Sequence, residues 1–154
     1  DKQKLEKVIT ENKNKGFIMQ PFIDGRHMSM SLLVLDGAVR LLGCNEQYVE
    51  IRNGCISLTG IGVNECLNLK DEMNSLAQKI ISTISGFSGY IGVDIVEFNG
   101  EFFVLEINPR FTTAYVGLSK SLGRNITKII LDTFLKKRLP DIDLMSAVPI
   151  RINI

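Results

Sequence analysis

Apolar residues recur along this chain at two spacings, one typical of helices and one typical of strands. The clearest helical stripe runs through residues 69–85, with Asn68 as its expected N-cap and Gly86 and Gly89 beyond its end. A shorter stripe predicts a helix at 2–13, which the Asn-Lys-Gly segment 14–16 ends. Another predicts a helix at 126–136. The pattern therefore indicates amphipathic helices, each with one face to bury.

Short apolar or alternating runs between turn residues predict the strands. Asp-Gly or Asn-Gly pairs at 36–37, 53–54 and 99–100 are typical of two-residue hairpin turns. Residues 60–62 are expected to be a loop, and Met28 and Met30 alternate with serines, which predicts one apolar and one mixed strand face. Hairpins in one layer, covered by helices, predict an α+β fold with a mostly antiparallel sheet. The predicted strands are 17–22, 28–35, 38–44, 48–51, 55–58, 90–98, 101–107 and 148–154.

Composition narrows the class of protein. The 154 residues are 45% hydrophobic and 23% charged, which suits one globular domain with a real core. A net charge of +1 gives no broad attraction to nucleic acid or to acidic membranes, and no run of 18 apolar residues indicates a membrane span. We therefore expect neither nucleic acid nor membrane as a partner, and the sequence indicates no particular oligomeric state.

The cysteines and the start of the chain bear on its context. An odd count of three cysteines without close pairs argues against a disulfide framework and favours a reducing compartment, so we expect a cytoplasmic protein. A single histidine and the lack of a CxxC pair argue against a zinc site. The first residue is not Met, and residues 1–16 resemble the end of a charged helix that leads into a strand. We expect the chain to be a piece of a longer protein.

The predicted hairpin 90–107 carries the residues that point to chemistry. Asp94, Glu106 and Asn108 offer the hard oxygen ligands that Mg²⁺ prefers when it shares its shell with phosphates. Arg110 supplies a fixed cation for charge that develops during phosphoryl transfer. The alternative is that these acids are merely solvated strand residues.

Strand register decides whether these ligands can meet. Regular pairing about the turn at 99–100 places Asp94 opposite Leu105, and it places Glu106 and Asn108 on the other face. A β-bulge at or near the turn, which shifts the register by one residue, would bring all of them to one face. Glu106 and Asn108 share a face in either case.

The hairpin resembles the metal-binding hairpin of the ATP-grasp superfamily, because an acid, Glu, Asn and Arg occur at residues 94, 106, 108 and 110. The resemblance implies ATP as cofactor and two Mg²⁺ (or Mn²⁺) ions, with Asp94, Glu106 and Asn108 as metal ligands and Arg110 as the catalytic cation. Residues 17–25, FIMQPFIDG, are similar to the adenine-binding linker of the same superfamily. The nucleotide-binding residues that the resemblance implies are Gln20, Pro21, Phe22, Ile23, His27 (at the ribose position), Val96 and Leu105.

The linker and His27 also have structural interpretations. From its residues alone, the segment 17–23 could be a core strand, and His27 could be a surface residue. In many superfamily members the position of His27 is a Glu that binds the ribose hydroxyls, and in some carboxylases it is His.

The resemblance extends over residues 2–136 and implies an activity. It implies that residues 1–154 form a partial, C-terminal ATP-grasp domain without the N-terminal domain and the phosphate-loop subdomain. We therefore expect the chain alone to be inactive. The implied enzyme is an ADP-forming carboxylate–amine ligase that acts on small-molecule carboxylate and amine substrates through an acyl phosphate; a carboxylate–thiol ligase is also compatible with the resemblance. The alternatives are a nucleotide-binding or regulatory module without ligase activity and, from a different class, a plain interaction domain.

Residues 108–118 bear on the subgroup. NPRFTTAYVGL resembles the corresponding segment of archaeal-type ATP-grasp ligases, the group that includes tyramine–glutamate ligase. The resemblance implies that Thr112, Thr113 and Tyr115 contact the acceptor substrate. The alternative for these residues is a helix N-cap with ordinary helix packing.

Overall fold

The structure is a computed structural model that describes residues 2–13, 16 and 18–154. A six-stranded sheet forms its centre, and every neighbouring pair of strands in the sheet is antiparallel. The elements in chain order are α1 (Lys2–Glu11), β1 (Arg26–Leu35), β2 (Ala38–Arg52), β3 (Cys55–Val63), α2 (Lys70–Thr83), β4 (Gly89–Phe98), β5 (Glu101–Asn108), α3 (Tyr115–Ser121), α4 (Ile126–Lys136) and β6 (Ile150–Asn153). The strand order across the sheet is β5-β4-β1-β2-β3-β6. The predicted α+β fold with a mostly antiparallel sheet is confirmed.

The hairpin turns lie where the sequence places them. Both residues of each Asp-Gly or Asn-Gly pair have positive φ, between 49° and 81°. Two-residue hairpins require this backbone conformation, which glycine and asparagine adopt at low cost. The helix at 126–136 also has the predicted bounds. Its Asn125 side chain accepts a hydrogen bond from the backbone N–H of Lys128 at 2.9 Å.

Three predictions about the strands were wrong. The predicted strands 38–44 and 48–51 form the single strand β2, and residues 60–62 lie inside β3. A Cβ at Gly60 would lie 2.8 Å from the carbonyl oxygen of Ile152, so this glycine marks the close approach of β6 rather than a loop. Of the predicted strand 17–22, Phe17 lies outside the described residues, and residues 18–22 pair with no strand. Ile18 is 90% exposed, which shows that this apolar run is not core.

The helix boundaries differ in smaller ways. The helix predicted at 69–85 spans Lys70–Thr83, preceded by a 3₁₀ turn (Leu67–Leu69) that contains Asn68, so this residue is not its N-cap. The first helix ends at Glu11, and residues 14 and 15 of the predicted stop signal lie outside the described residues. Helix α3 was not predicted, because its seven residues are too short to show a full apolar stripe. None of the helices in the described ranges is long and apolar enough to cross a membrane.

The two faces of the sheet have different partners. Helix α2 contacts β1 and β2 and buries Met73, Ala77, Ile80 and Ile81. Each large apolar side chain that is buried in this way contributes roughly 1.5–3 kcal/mol. Ser29 and Ser31, which alternate with the buried methionines along β1, lie on the opposite face, as predicted. Helix α3 covers only part of this face. The remainder forms the floor of the site described next.

Candidate functional site

A β-bulge brings the two carboxylates of the hairpin together. Strands β4 and β5 pair regularly from Phe98–Glu101 to Ile95–Val104, and then the register shifts so that Asp94 lies opposite Glu106. The unpaired residue is Leu105. The bulge therefore lies at the far end of the hairpin, not beside its turn, but it produces the shift that the metal hypothesis requires. Asn108 follows opposite Gly92, on the same face as Asp94.

Asp94 is held by two side-chain amides. The Nδ2 group of Asn108 donates to Oδ2 of Asp94 at 3.1 Å, and Nε2 of Gln47 donates to Oδ1 at 2.8 Å. Because the nitrogen of the Asn108 amide faces Asp94, its oxygen is available as a ligand for a cation. Asn108 itself is only 5% exposed, so its orientation is well constrained.

The environment raises the pKa of Asp94 above its ordinary value. Burial is the main cause, and the nearby carboxylate of Glu106 adds to it, whereas Gln47, Arg110 and Asn108 act in the opposite direction. Burial and the second acid thus make ionisation of Asp94 costly. A divalent cation bound nearby would stabilise the ionised carboxylate strongly.

The donor set fits Mg²⁺ or Mn²⁺. Asp94, Glu106 and Asn108 present two carboxylates and one amide oxygen, which are hard ligands suited to either ion. No group of three or more His, Cys, Asp or Glu residues suited to a metal occurs among the described residues. With the Asn108 amide as third donor, such a set would leave coordination positions for phosphate oxygens.

Arg110 lies just beyond these ligands. Its backbone N–H donates to the carbonyl oxygen of Asn108 at 2.8 Å, which makes a tight turn after the strand. The side chain is exposed and lines a cleft of about 160 Å³ together with Asp94 and Asn108. The other residues that line this cleft are Ser29, Gln47, Leu58, Ile61, Thr112 and Thr113.

The predicted nucleotide residues line a second cleft on the same side of the sheet. It has a volume of about 310 Å³, and its walls are mostly apolar. Leu105 reaches it because it bulges out of the ladder, and His27 lies opposite Val96 in the register of β1 and β4. The lining residues are Gln20, Pro21, Phe22, Ile23, His27, Ile56, Val96 and Leu105. The structure therefore brings together every residue that the sequence analysis assigned to the nucleotide, and it adds Ile56.

The exposed apolar residues of the linker now have a structural reason. Phe22 is 62% exposed and Leu105 is 42% exposed, and both lie in this cleft. A Cβ at Gly25 would clash with the backbone carbonyl of Glu97, which shows that the chain passes close to β4 before it enters β1. Glycine at this position lets the linker lie along the edge of the cleft.

The predicted acceptor residues separate into two groups. Thr112 and Thr113 line the smaller cleft with Arg110. Tyr115 does not; its ring lies 4.3 Å from the ring of Phe111, and its hydroxyl pairs with the Thr127 hydroxyl at 2.7 Å. Tyr115 therefore packs against Phe111, Tyr90 of β4 and Thr127 of α4, which is closer to the packing alternative.

Comparison with known proteins decides the family. The sequence profile of a family described as ATP-grasp domain matches residues 1–114. The chain belongs to the ATP-grasp family. Tyramine–L-glutamate ligase of Methanocaldococcus jannaschii is 38% identical over 105 residues, which are 68% of this chain and 32% of that protein. The chain thus spans about a third of the length of this curated relative.

Solved structures agree with the ATP-grasp fold. An L-amino acid ligase from Bacillus licheniformis superposes with a TM-score of 0.67 at 19% identity, over 88% of this chain and 35% of that one. The biotin carboxylase domain of a 2-oxoglutarate carboxylase from Hydrogenobacter thermophilus, whose structure is a complex with MgADP and bicarbonate, gives a TM-score of 0.68 at 18% identity. The matched region is 94% of this chain and 33% of that one.

A polar network supports the floor of this ATP-grasp site and was missed from the sequence. Asn45 donates to the hydroxyls of Ser29 and Ser31 at 3.4 and 3.2 Å, and the Tyr90 hydroxyl donates to Ser31 at 2.9 Å. Gln47, two residues after Asn45 on the same face of β2, continues this row to Asp94. The two-residue spacing of Asn45 and Gln47 was the available signal. It identifies a polar face, but only the pairing of β2 with β1 shows that this face reaches Asp94.

Proposed function

We propose that this chain is the metal- and adenine-binding part of an ADP-forming carboxylate–amine ligase that uses ATP and Mg²⁺. A carboxylate oxygen of the first substrate attacks the γ-phosphorus of ATP, and ADP leaves. The amine then attacks the acyl carbon of the resulting acyl phosphate, and inorganic phosphate leaves with formation of an amide. Membership of the ATP-grasp family and the ligase relatives support this class of reaction.

One observation carries the proposal: the apolar cleft and the carboxylate pair lie side by side on the same two strands. Val96 and Asp94 are two residues apart on one face of β4, which corresponds to about 7 Å along a strand. On β5 the bulged Leu105 directly precedes Glu106. A planar base between Phe22, Val96 and Leu105 would thus direct its phosphates toward Asp94 and Glu106.

The residues in and beside the smaller cleft have complementary roles in the proposed reaction. Glu106 lies opposite Asp94 but is not among the described residues that line the cleft. Mg²⁺, when held by Asp94, Glu106 and Asn108, would neutralise phosphate charge. Arg110 stabilises negative charge on the transferred phosphoryl group, because its planar guanidinium can form two parallel hydrogen bonds to phosphate oxygens. Thr112 and Thr113 offer hydroxyls beside Arg110 that can orient the acceptor substrate.

The substrate class is also a proposal. By its name, the curated relative joins tyramine to L-glutamate. We propose a small carboxylate and a small amine for this chain, since the cleft beside Arg110 is small and has both polar and apolar walls.

A second candidate is a module that binds nucleotide without ligation. No lysine lines either cleft in the described part of the chain, so the residues present supply one cation, Arg110, for a triphosphate. On this interpretation the chain binds ATP with Mg²⁺ but transfers no phosphoryl group.

Two measurements separate these candidates. Calorimetric titration of the 154-residue chain with ATP should show Mg²⁺-dependent binding on either interpretation. ADP release by the complete protein that contains this chain, measured with mixtures of carboxylates and amines, should occur only if the ligase proposal is correct. In that protein Asp94→Asn and Glu106→Gln should each abolish turnover, whereas Glu101→Gln, an exposed acid beside the hairpin turn, should retain it. Normal turnover in both site variants would refute the metal assignment.

A further inference from the structure

A third cavity lies away from both clefts and has no role in the proposed reaction. Its volume is about 300 Å³, and it lies between the start of β2, the start of α2 and the segment 142–145. None of the residues described for its wall also lines either of the two clefts. Arg40 pairs with Leu33 of β1, whereas Asp94 pairs with Ser29 of the same strand, a separation of about 13 Å along β1.

Arg40 is the distinctive residue of this cavity. Its Nε atom is buried and has no hydrogen-bond partner, and no other side-chain nitrogen or oxygen in the described residues is buried without one. The described residues also include no carboxylate within ion-pair distance of this guanidinium. A buried donor without a partner destabilises the fold, and more so when it is charged. Such a group is satisfied by a water or a bound anion.

The remaining charged groups in the wall already have partners. Lys70 pairs with Asp71 at 2.6 Å, and Asp143 accepts a hydrogen bond from the backbone N–H of Met145 at 2.9 Å. Among the described residues of the wall, Arg40 is thus the one cation without a paired acid. Two neighbouring acids disfavour a multiply charged ligand such as a phosphate, whereas a single carboxylate would match Arg40 in charge and in planar geometry.

The shape of the cavity supports an organic ligand rather than a simple ion. Ile142 and Leu144, both buried, line it beside Leu41, and the Asn74 side chain adds an amide. About 300 Å³ is the lower end of the range for small-molecule sites. We infer that this cavity binds a small monocarboxylic acid, with its carboxylate on Arg40 and its short apolar body against Ile142 and Leu144.

Nuclear magnetic resonance titration of the ¹⁵N-labelled chain tests this site. Sodium propionate should shift the backbone amides of Leu41, Asn74 and Leu144 to saturation at millimolar concentration, at constant ionic strength. Arg40→Gln should weaken this binding at least ten-fold, whereas Arg52→Gln should not. Arg52 is a suitable control because it lies on the same strand, is exposed and pairs with Glu50 at 2.7 Å.

Other outcomes would overturn the inference. Equal shifts with sodium chloride, unchanged binding in Arg40→Gln, or stronger binding of inorganic phosphate than of propionate would each contradict a carboxylate site. If Arg40→Gln does not fold, Arg40→Lys provides the same test, since lysine keeps the charge but loses the planar fork and should bind propionate several-fold more weakly. Binding that is unchanged in Arg40→Lys would then contradict the inference. Because this cavity is separate from the ATP-grasp site, the result is independent of the proposed ligase function.

Discussion

Asp94 and Glu106 lie directly opposite each other because Leu105 bulges out of the ladder between β4 and β5. Without the extra residue, Glu106 would face the α2 side of the sheet. The same bulge also directs Leu105 into the apolar cleft. One irregularity thus sets both the carboxylate pair and the contact proposed for the base, and bulges commonly occur where a strand must re-aim a side chain at a site.

Shortening Leu105 should weaken nucleotide binding and leave metal binding intact. Leu105→Ala removes apolar contact with the base, and the partial exposure of this side chain limits the loss to about 1–2 kcal/mol, or roughly five- to thirty-fold in Kd. Titration calorimetry with ATP and Mg²⁺ measures this change. Val104→Ala is the matched control, because Val104 precedes the bulge and lines a groove with α2 instead. Equal losses in both variants would contradict the proposed position of the base.

Removing the Gln47 amide should weaken metal binding. Gln47→Leu deletes the 2.8 Å hydrogen bond that orients the Asp94 carboxylate. Loss of such an orienting partner typically lowers metal affinity by roughly 10–100-fold. Electron paramagnetic resonance of Mn²⁺, titrated into the chain in the presence of ATP, reports free and bound metal directly. Glu50→Gln, an exposed substitution farther along β2, should leave the Mn²⁺ affinity unchanged. An unaltered affinity in Gln47→Leu would show that Asp94 needs no such support.

Some features of the fold could be predicted from the sequence, whereas the position of the bulge at Leu105 and the contact of Gln47 with Asp94 could not. This difference has a physical basis. The hairpin turn at 99–100 and the helix that begins at Ile126 depend on residues close in sequence, so their chemistry can be recognised locally. The bulge at Leu105 lies four pairs from the turn and depends on which faces the sheet must bury. The contact between Gln47 and Asp94 joins residues 47 positions apart in the sequence. Their strands, β2 and β4, both pair with β1, which lies between them in the sheet. No local pattern encodes such a contact.

The error at 18–22 has another cause. A run of apolar residues resembles a buried strand, but here Phe22 and its neighbours are exposed and line a cleft. Burial and ligand binding select the same residue types, so composition alone does not separate them. The resemblance of the segment to an adenine-binding linker, unlike its periodicity, is compatible with the exposed position of Phe22.

Replacing Arg110 should affect the chemical step more than binding. Arg110→Lys retains the charge but loses bidentate geometry, and Arg110→Ala loses both. We expect kcat of the complete protein to fall about 10²–10³-fold in the alanine variant and less in the lysine variant, with a small change in the KM for ATP. Steady-state ADP release measures both constants. Arg138→Ala, at an exposed arginine outside both clefts, is the control. A large rise in KM with unchanged kcat would instead assign Arg110 to ground-state binding.

Thiol reactivity should distinguish the three cysteines. Burial raises the pKa of Cys44 to about 12 and also raises the pKa of Cys66, whereas Cys55 is exposed. At pH 8 iodoacetamide should therefore modify Cys55 first, and Cys44 and Cys66 only after unfolding, since the thiolate is the nucleophile. Because both raised values favour the neutral thiol in the folded chain, stability should fall as the pH rises above the ordinary thiol pKa of about 8.5. Mass spectrometry of peptides identifies the modified sites, with Cys55→Ser as the control. Rapid modification of Cys66 in the native chain would contradict its burial beside Glu46 and Arg26.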